Sequence, residues 1–343
     1  MSNANIMNKT FNLPLLDSLQ SVLAGNANNQ KLKRMVMNLL VPFSAILIFL
    51  VIWSAGAKQI NTSLGVFPGP VQVWEQAQVL LEEHRAEREK EAAFNERMQQ
   101  RIDKAIAEGK PEERIETLRA RSYTGRATFI DQIITSLATV SAGFVLASLI
   151  AIPLGIMIGM SNTLYQAFNP IIQLFKPVSP LAWLPLVTMV VSALYITDDP
   201  MFSKSFLTSA LTVTLCCLWP TIINTAVGVS GVSKDLINVS RVLRLGWFTK
   251  TIKIILPSSI PMMFTGLRLS LGIGWMVLIA AEMLAQNPGL GKFVWDEFQN
   301  GSSNSLARIM VAVITIGFVG YLLDRGMLML QRRFSWDKKA VLR

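Results

Sequence analysis

Residues 234–261 read KDLINVSRVLRLGWFTKTIKIILPSSIP, next to the uncharged stretch 205–233 and running into a second one at 254–267. The first part of this segment is basic and amphipathic, which makes it too polar to lie in hydrocarbon. The uncharged stretches beside it are apolar enough to enter a bilayer. The segment therefore predicts a loop on one side of a membrane, between two membrane-spanning helices.

A short helix is predicted inside this loop. Leu236, Val239 and Leu243 recur at helical spacing, and Gly246 offers a place for the helix to end. A helix presented in this way is suited to docking into a groove on a soluble partner, and the alternative is a plain surface loop. Pro257 then fits the first turn of a new helix that re-enters the membrane.

The composition indicates an integral membrane protein. Of the 343 residues, 51% are hydrophobic and 16% are charged, with a mean hydropathy of +0.42. The net charge is +10, but Lys and Arg cluster beside apolar runs, so we interpret the charge as a topology signal and expect no nucleic-acid partner. The only histidine, His84, lies in a charged segment and is interpreted as solvated. Cys216 and Cys217 are adjacent, so neither a metal site nor a disulfide is expected.

The apolar runs divide the chain into five parts. We predict an N-terminal segment at 1–37, a first transmembrane helix at 38–57, a charged helical insert at 58–131, a five-helix core at 132–331 that holds the basic loop 233–257, and a tail at 332–343. The N-terminal segment is either an interfacial helix or a disordered tail. The run at 38–57 could be a signal peptide, but the region before it is too long, which favours a retained span.

The insert differs in character from the rest of the chain. Acidic and basic residues alternate through 75–126, and Phe94, Met98, Ile102 and Ile106 form a narrow helical stripe. A break at 109–111 predicts a charged helical hairpin outside the bilayer. Its surface is either a solvated face or a dock for a soluble partner.

Six transmembrane helices are predicted in total. Between residues 132 and 331 the spans are Ile133–Met160, Pro170–Ile196 after a short turn at Ser161–Asn169, Ser205–Val232, Ser258–Ala285 and Ser305–Leu330. Proline interrupts the second of these repeatedly, which is typical of backbone that lines a cavity or a helix interface. Basic residues flank the spans so that both termini and the basic loop lie in the cytoplasm.

Charged and polar side chains within the spans are the candidate site residues. Arg268 is the first candidate for anion passage; alternatively it snorkels or anchors to the basic loop. Glu282 is assigned a structural or gate role and could pair with a basic group on a neighbouring helix. Lys176 is assigned the same structural or gate role. Neutral donors to an oxyanion, or helix-to-helix hydrogen bonds, are expected from Asn224, Ser179, Gln173 and Thr225.

Stretches inside and outside the loop resemble the nitrate-type branch of ABC-importer permeases, which also serves sulfonate, taurine, cyanate and bicarbonate systems. They are KPVSPLAWLP (176–185), WPTIINTAVGV (219–229), NVSRVL (238–243), FTGLRL (264–269) through AAEM (280–283), FVWD (293–296) and LLDRG (322–326). The Ile-x-Leu-Pro end of that family's ATPase-coupling loop is present at 254–257. Asn238, Val239 and Ser240 stand at its Glu-Ala-Ala positions, as in nitrate and bicarbonate members, and Arg244 stands at its glycine position.

The resemblance implies an all-α, type I ABC-importer permease fold with six transmembrane helices and a periplasmic insert, in a bacterial inner membrane. It implies a homodimer that binds cytoplasmic ATP-binding subunits and a periplasmic substrate-binding protein. This chain is then not an enzyme and binds no cofactor, because ATP and Mg²⁺ bind the partner ATPase and no Walker A motif occurs here. The residues of the coupling loop are Asp235, Leu236, Asn238, Val239, Ser240, Arg241, Leu243, Arg244, Gly246 and Pro257.

The expected function is import of a small oxyanion, nitrate or nitrite first, by alternating access. The nearest alternative keeps the same machine and changes the cargo to bicarbonate, cyanate or a sulfonate such as taurine. An ion-coupled secondary transporter is a more distant alternative, for which inverted repeats and buried carboxylate pairs would be typical. A membrane scaffold or sensor without transport is a third.

Overall fold

The structure is a computed structural model that describes residues 29–62, 65–196, 201–302 and 304–334. The chain divides into two compact units, residues 1–72 and 73–343. The expected interfacial helix or tail before residue 29, and the part of the cytoplasmic tail after residue 334, lie outside the described residues.

The first unit contains one long helix and a small hairpin. Helix α1 spans Asn29–Ala57, and its Leu40–Ala57 part is long and apolar enough to cross a membrane. Strands β1 (Asn61–Thr62) and β2 (Gly65–Val66) pair antiparallel. The Trp53 indole donates a hydrogen bond to the Pro68 carbonyl at 3.2 Å, which fixes the segment after the hairpin against the end of α1.

The rest of the described chain is helical. In order, the elements are α2 (Pro70–Ala107), α3 (Glu112–Arg119), α4 (Phe129–Met160), α5 (Asn162–Phe175), α6 (Pro180–Leu194), α7 (Lys204–Ser230), α8 (Lys234–Val242), α9 (Trp247–Lys250), a π-helical turn (Thr251–Ile255), α10 (Leu256–Ala285), α11 (Leu290–Asn300) and α12 (Ser305–Phe334).

Among the described residues, five helical runs are long and apolar enough to cross a membrane, and six if the pair α5 and α6 counts as one broken span. These two helices meet at 99°. The short turn predicted at 161–169 is wrong, because α5 begins at Asn162 and continues through Pro170. Ser161 caps α5 by accepting the Leu164 amide, and the chain bends later, at 176–179, where Pro177 removes a helical donor.

Helix α7 lies at the centre of the second unit. It packs against α4, α6 and α10, and half of its membrane-spanning part is buried, compared with 22% for α12. The main hydrophobic core joins Val213 and Cys217 of α7 to Val140 of α4 and to Trp275 and Leu278 of α10. Polar side chains on the buried face of α7 therefore contact other helices.

Glycine lets α4 approach α7 closely. A Cβ atom on Gly143 would lie 2.6 Å from the Ala210 carbonyl, and one on Gly155 would lie 2.6 Å from Thr225 Cβ. In lipid, where helices gain little from hydrophobic association, small residues at such crossings allow the close van der Waals packing that holds helices together. The α4–α7 contact is of this kind.

Helix α10 begins at Leu256 with Pro257 in its first turn, as the sequence predicts, but the helical run that enters the membrane starts earlier. The chain is helical without interruption from Trp247 to Ala285, because α9 and a π-helical turn lead directly into α10. The turn before it is a π-helix, in which the Leu256 amide bonds to the Thr251 carbonyl. Proline has no amide hydrogen and its ring crowds the preceding turn. The wider π turn accommodates that ring without breaking the helix.

The insert is one long helix and a short one rather than a hairpin of similar arms. Helix α2 has 38 residues and α3 has eight. The predicted break at 109–111 falls between them, with Gly109 in the left-handed region at φ 59°. His84 is not a free solvated side chain, because its Nδ1 lies 2.7 Å from Thr128 Oγ1 and the residue is half-buried.

Candidate functional site

The predicted coupling helix is present as α8 and exposes an apolar face. Ser233 caps it by accepting the Leu236 amide at 3.3 Å, and Asp235 lies in its first turn. Leu236 and Val239 are about half exposed, and Val242 is 82% exposed. An apolar face on a charged helix between two membrane-spanning runs is a surface suited to a protein partner.

The end of α8 is closed at Arg244, not at Gly246. Arg244 adopts the left-handed conformation at φ 49°. Its amide donates to the Arg241 carbonyl, and the Leu245 amide donates to the Ser240 carbonyl, both at 3.0 Å. This pair of bonds is a Schellman motif, in which the left-handed position is usually glycine. Gly246 instead precedes the first turn of α9 with φ −61°, so the predicted helix stop at Gly246 is wrong.

The remaining residues of the coupling loop divide between a buried and an exposed set. Ser240 is 2% exposed and donates to the Ile237 carbonyl at 2.6 Å. Helix α8 contacts the π-helical turn, so the coupling loop and α10 form one continuous structure. The exposed set is Asp235, Asn238, Arg241, Leu243 and Arg244, of which Leu243 is 61% exposed and adds to the apolar face.

Arg268 forms an ion pair with Asp324 across the α10–α12 contact. Arg268 Nη2 donates to Asp324 Oδ2 at 2.8 Å, and Arg268 Nε donates to Oδ1. The expected anchor of Arg268 in the coupling loop is therefore wrong, because its partner is a carboxylate of α12. The pair lines a cavity of about 250 Å³ together with Gly272, Trp275 and Gly320.

The neutral candidates do not converge with Arg268. Asn224 donates to the Pro220 carbonyl of its own helix at 2.8 Å. Thr225 is fully buried beside Gly155, and its Oγ1 has no hydrogen-bond partner in the described chain. Ser179 caps α6 through the Leu181 amide, and Gln173 is exposed on α5. These four stay candidate pathway residues, at separate places on α5, α6 and α7.

Glu282 lies in a buried polar cluster at the end of α10. Its carboxylate accepts the Ser136 hydroxyl at 2.9 Å and the Gly291 amide at 3.0 Å. Ser136 in turn accepts the Leu290 amide at 2.9 Å. The expected basic partner is absent from the described contacts of Glu282, so that alternative is wrong. The cluster joins α4, α10 and α11, which is the arrangement a structural role requires.

Asn287 extends this cluster, although the sequence did not single it out. It is 1% exposed, donates to Thr139 Oγ1 at 3.3 Å and accepts the Ser205 hydroxyl at 3.4 Å. Gln286, in the left-handed region at φ 55°, turns the chain so that Asn287 points inward. Lys176, the other residue to which the sequence assigns a structural or gate role, is exposed at the α5–α6 bend and lies outside this cluster.

A second network ties the insert to the core. Arg308, in the first turn of α12, donates to Glu297 of α11 at 3.3 Å and pairs with Glu83 of α2. The Ser305 hydroxyl donates to the other oxygen of Glu297 at 2.9 Å. This network could not be predicted from the sequence, because Arg308 is a flanking charge at the start of a span and its partner Glu83 is distant in sequence.

The sequence and fold match known membrane transport proteins. Residues 151–336 match the family described as "Binding-protein-dependent transport system inner membrane component". Nitrate import permease protein NrtB of Synechocystis sp. is 40% identical over 194 residues, 57% of this chain and 66% of that protein. NrtB of Leptolyngbya laminosa is 38% identical over 56% of this chain and 64% of that protein. The chain thus spans slightly less than two thirds of the length of these relatives.

A bicarbonate relative is equally similar. Bicarbonate transport system permease protein CmpB of Synechocystis sp. is 39% identical over 202 residues, 59% of this chain and 67% of that protein. Among solved structures, the inward-facing MetNI methionine ABC transporter aligns with a TM-score of 0.52 at 13% identity, covering 60% of this chain and 96% of that one. That likeness concerns the fold, and it confirms the type I importer-permease fold predicted from the sequence. The chain belongs to the family of binding-protein-dependent transport system inner membrane components.

Proposed function

We propose that this chain is the non-catalytic, membrane-spanning permease subunit of an ATP-driven importer for a small oxyanion, nitrate or nitrite first. The observation that carries the proposal is α8, a capped helix with an exposed apolar face between two membrane-spanning runs. An isolated protein gains nothing from exposing Val242 and Leu243 to water, whereas a partner that covers them gains the free energy of their burial.

The importer works by alternating access. Moving one anion into a cell with a negative interior costs about 2.3 kcal/mol per 100 mV, and each tenfold accumulation adds about 1.4 kcal/mol. ATP hydrolysis on a partner meets this cost, and α8 passes the motion of that partner to α10. The continuity of the helical run from Trp247 to Ala285 supports this transmission, because only the short turn at 243–246 separates α8 from a run that is helical as far as the end of the span.

The assembly contains two copies of this chain, two cytoplasmic ATP-binding subunits and a periplasmic substrate-binding protein. ATP and Mg²⁺ bind the ATPase subunits. The chain lies in a bacterial inner membrane with both termini and α8 in the cytoplasm and with α2 and α3 in the periplasm. Basic residues at the end of α12, Arg332 and Arg333, support this orientation.

Nitrate is the first choice of cargo because two nitrate permeases are 38% and 40% identical to this chain. Bicarbonate is the second candidate, favoured by the 39% identity of a bicarbonate permease. Both are small, planar, monovalent oxyanions, so the same donors in the membrane can serve either. The separate binding protein can then make the selection between them.

The test is to co-express this chain with its genomic neighbours, purify it in detergent, and assay ATP hydrolysis after reconstitution. An ATPase should co-purify and its rate should rise with nitrate and the binding protein. Val242→Asp should reduce the recovered ATPase at least tenfold, because it puts a charge in the docking face. Met201→Asp is the matched control, since Met201 is 85% exposed but lies between α6 and α7.

Each result has a distinct reading. Stimulation by bicarbonate alone would keep the importer and replace the cargo. An intact chain that recovers no ATPase would overturn the proposal in favour of a secondary transporter. Equal loss of ATPase in Val242→Asp and Met201→Asp would show that α8 is not the docking face.

A further inference from the structure

The Arg268–Asp324 pair uses one side of the guanidinium and leaves another free. Asp324 takes the Nε and Nη2 donors, with the Nη2 bond at 2.8 Å. Arginine carries five N–H donors. The others, including both on Nη1, have no hydrogen-bond partner in the part of the chain that the structure describes. The edge between Nη1 and Nη2 is therefore available to a ligand.

This edge has the geometry of an oxyanion site. Two parallel N–H groups of a guanidinium match two oxygens of a carboxylate or phosphate, and a planar trigonal oxyanion presents the same spacing. Lysine in the same place would offer a point charge without that fork. The free edge thus selects for a flat anion with two oxygens on one side.

The cavity beside the pair has room for such an anion. Its volume is about 250 Å³, whereas a water molecule takes about 30 Å³ of liquid. Gly272 and Gly320 line the cavity and, having no side chains, leave its volume unfilled. Trp275 forms a wall, and its Nε1 already donates to the Ile316 carbonyl at 3.0 Å, so the indole contributes an apolar face rather than another donor.

The surroundings of the pair point to water rather than lipid. The Arg268 and Asp324 side chains are 32% and 39% exposed, although both lie within membrane-spanning helices. A charged side chain is costly to place in hydrocarbon and usually faces the bundle interior or a water-filled cavity. Half-open charges on a cavity are therefore expected to face a hydrated path. The nearby carboxylate weakens the hold on an anion, and passage requires binding weak enough for release.

We propose that the α10–α12 cavity binds a small planar oxyanion on the free edge of Arg268, and that Asp324 limits the affinity so that the anion can leave. The proposal deepens the proposed function and rests on it, since it names the cargo site in the membrane. Asp324 is a positioning residue: it orients the guanidinium from the side and opposes the anion by its charge.

Binding is tested on the full chain alone, in nanodiscs of phosphatidylcholine, by calorimetric titration with sodium nitrate and, separately, sodium bicarbonate. Sodium chloride is the reference. Arg268→Lys should weaken oxyanion binding at least tenfold, because the charge stays and the fork is lost. Gly272→Leu should abolish it by filling the cavity, since a Cβ there meets nothing within 4 Å and the fold is not strained.

Gly317→Leu is the matched control. Gly317 also has nothing within 4 Å of its Cβ position, but it is not among the residues that line the cavity. Its binding should equal that of the unaltered chain. Asp324→Asn gives a result of opposite sign: anion affinity should rise at least fivefold while uptake by the reconstituted transporter falls, because release slows. Simple damage to the fold would lower both.

Three outcomes overturn the proposal. Neither anion binds the unaltered chain; Arg268→Lys and Gly272→Leu bind as the unaltered chain does; or an anionic phospholipid co-purifies with the unaltered chain, is lost in Arg268→Lys, and no titrated anion binds. The last result would assign the guanidinium edge to a lipid headgroup. The titration needs no ATPase, so Arg268-dependent binding without a co-purifying ATPase would retain the site and reject the importer.

Discussion

At the scale of single residues, Arg244 stands where the conformation favours glycine. The left-handed backbone costs an L-residue roughly 1–2 kcal/mol, and Arg244 adopts it at the end of α8 with φ 49°. The sequence pattern already placed a glycine position here, but spacing alone gave no reason for it. The Schellman bonds of Arg244 and Leu245 supply that reason.

Arg244→Gly should stabilise the end of α8 by about 1 kcal/mol, because glycine removes the strain and keeps both bonds. Hydrogen exchange of the Leu245 amide should slow by roughly fivefold. Arg241→Gly is the control, since it puts glycine inside the helix and should speed exchange by a similar factor. Faster exchange in Arg244→Gly would contradict the assignment of strain.

Ser136 is the second informative residue. Its hydroxyl donates to the Glu282 carboxylate and accepts the Leu290 amide, all inside a fully buried cluster. Ser136→Ala should lower stability by about 2 kcal/mol, because a buried carboxylate and a buried amide lose partners at once.

Thermal unfolding in detergent measures this loss as a lower midpoint. Ser148→Ala on the same helix is the comparison, because Ser148 donates only to the Phe144 carbonyl one turn earlier. Its midpoint should change little. Equal shifts in the two variants would mean that the cluster contributes nothing specific.

At the scale of elements, hydropathy predicted where helices lie but not how they bend. The apolar runs of α4, α7 and α12 agree with the predicted spans within a few residues, since long uncharged stretches admit few alternatives. The start of α5 was wrong, because the turn predicted at 161–169 is helical and α5 continues through Pro170. Pro257 does lie in the first turn of α10, as predicted, but the helical run that leads into it from Trp247 was not predicted.

The contact between α2 and the segment after α3 depends on Glu87. Tyr123 donates to its carboxylate at 2.7 Å and the Arg126 amide donates at 3.1 Å, and the Tyr123 bond, helped by Lys90, lowers the pKa of Glu87 below the ordinary 4.5. Because the pKa is lowered on folding, the contact is stabilised above that ordinary value and is lost as the pH falls through the lowered one.

Tyr123→Phe should raise the pKa of Glu87 and move this loss to higher pH. Protection of the Arg126 amide against hydrogen exchange, measured from about pH 6 downward, reports the transition. Tyr165→Phe is the control, because the Tyr165 hydroxyl has no hydrogen-bond partner in the described chain. An unmoved transition in Tyr123→Phe would rule out Glu87 as the group that titrates.

At the scale of the whole molecule, the topology depends on the bent pair α5 and α6. If the pair crosses the membrane as one broken span, α3 and α8 lie on opposite sides; if it re-enters the same side, they lie together. The positive charge of the coupling loop favours the first arrangement. The proposed docking role of α8 depends on this topology, because α8 must lie on the side of the membrane where the proposed ATPase is.

Single cysteines at Glu113 and Lys234, in a background with Cys216 and Cys217 replaced by serine, distinguish the two arrangements. In cells whose outer membrane is permeabilised and whose inner membrane is intact, a membrane-impermeant maleimide should label the Glu113→Cys chain and not the Lys234→Cys chain. Labelling of Lys234→Cys after lysis is the control for reactivity. Labelling of both in intact cells would support re-entry.

The candidate site was only half predictable. Arg268 and Glu282 could be identified from the sequence, because a charged residue inside an apolar run is rare and is a functional candidate by default. Asp324 carries the same signal, since it lies inside the predicted span Ser305–Leu330, but it was not singled out. The pairing of Arg268 with Asp324 and of Glu282 with Ser136 was not visible, because only the packing of α12 and α4 brings these distant residues together. One sequence carries no record of which distant side chains meet.

The π-helical turn at Thr251–Ile255 sets an angle as well as a path. It holds one residue more than a regular turn, and each residue of an α-helix advances the chain by 1.5 Å and turns it by about 100°. Removing that one residue would leave both ends of the run helical but would rotate the chain that leads to α8 by about 100°, slightly more than a quarter of a full turn, around the axis of the helix that carries Arg268. The π-helical turn thus sets the rotational register between α8 and α10, and with it the direction in which a displacement of α8 is transmitted to the membrane span.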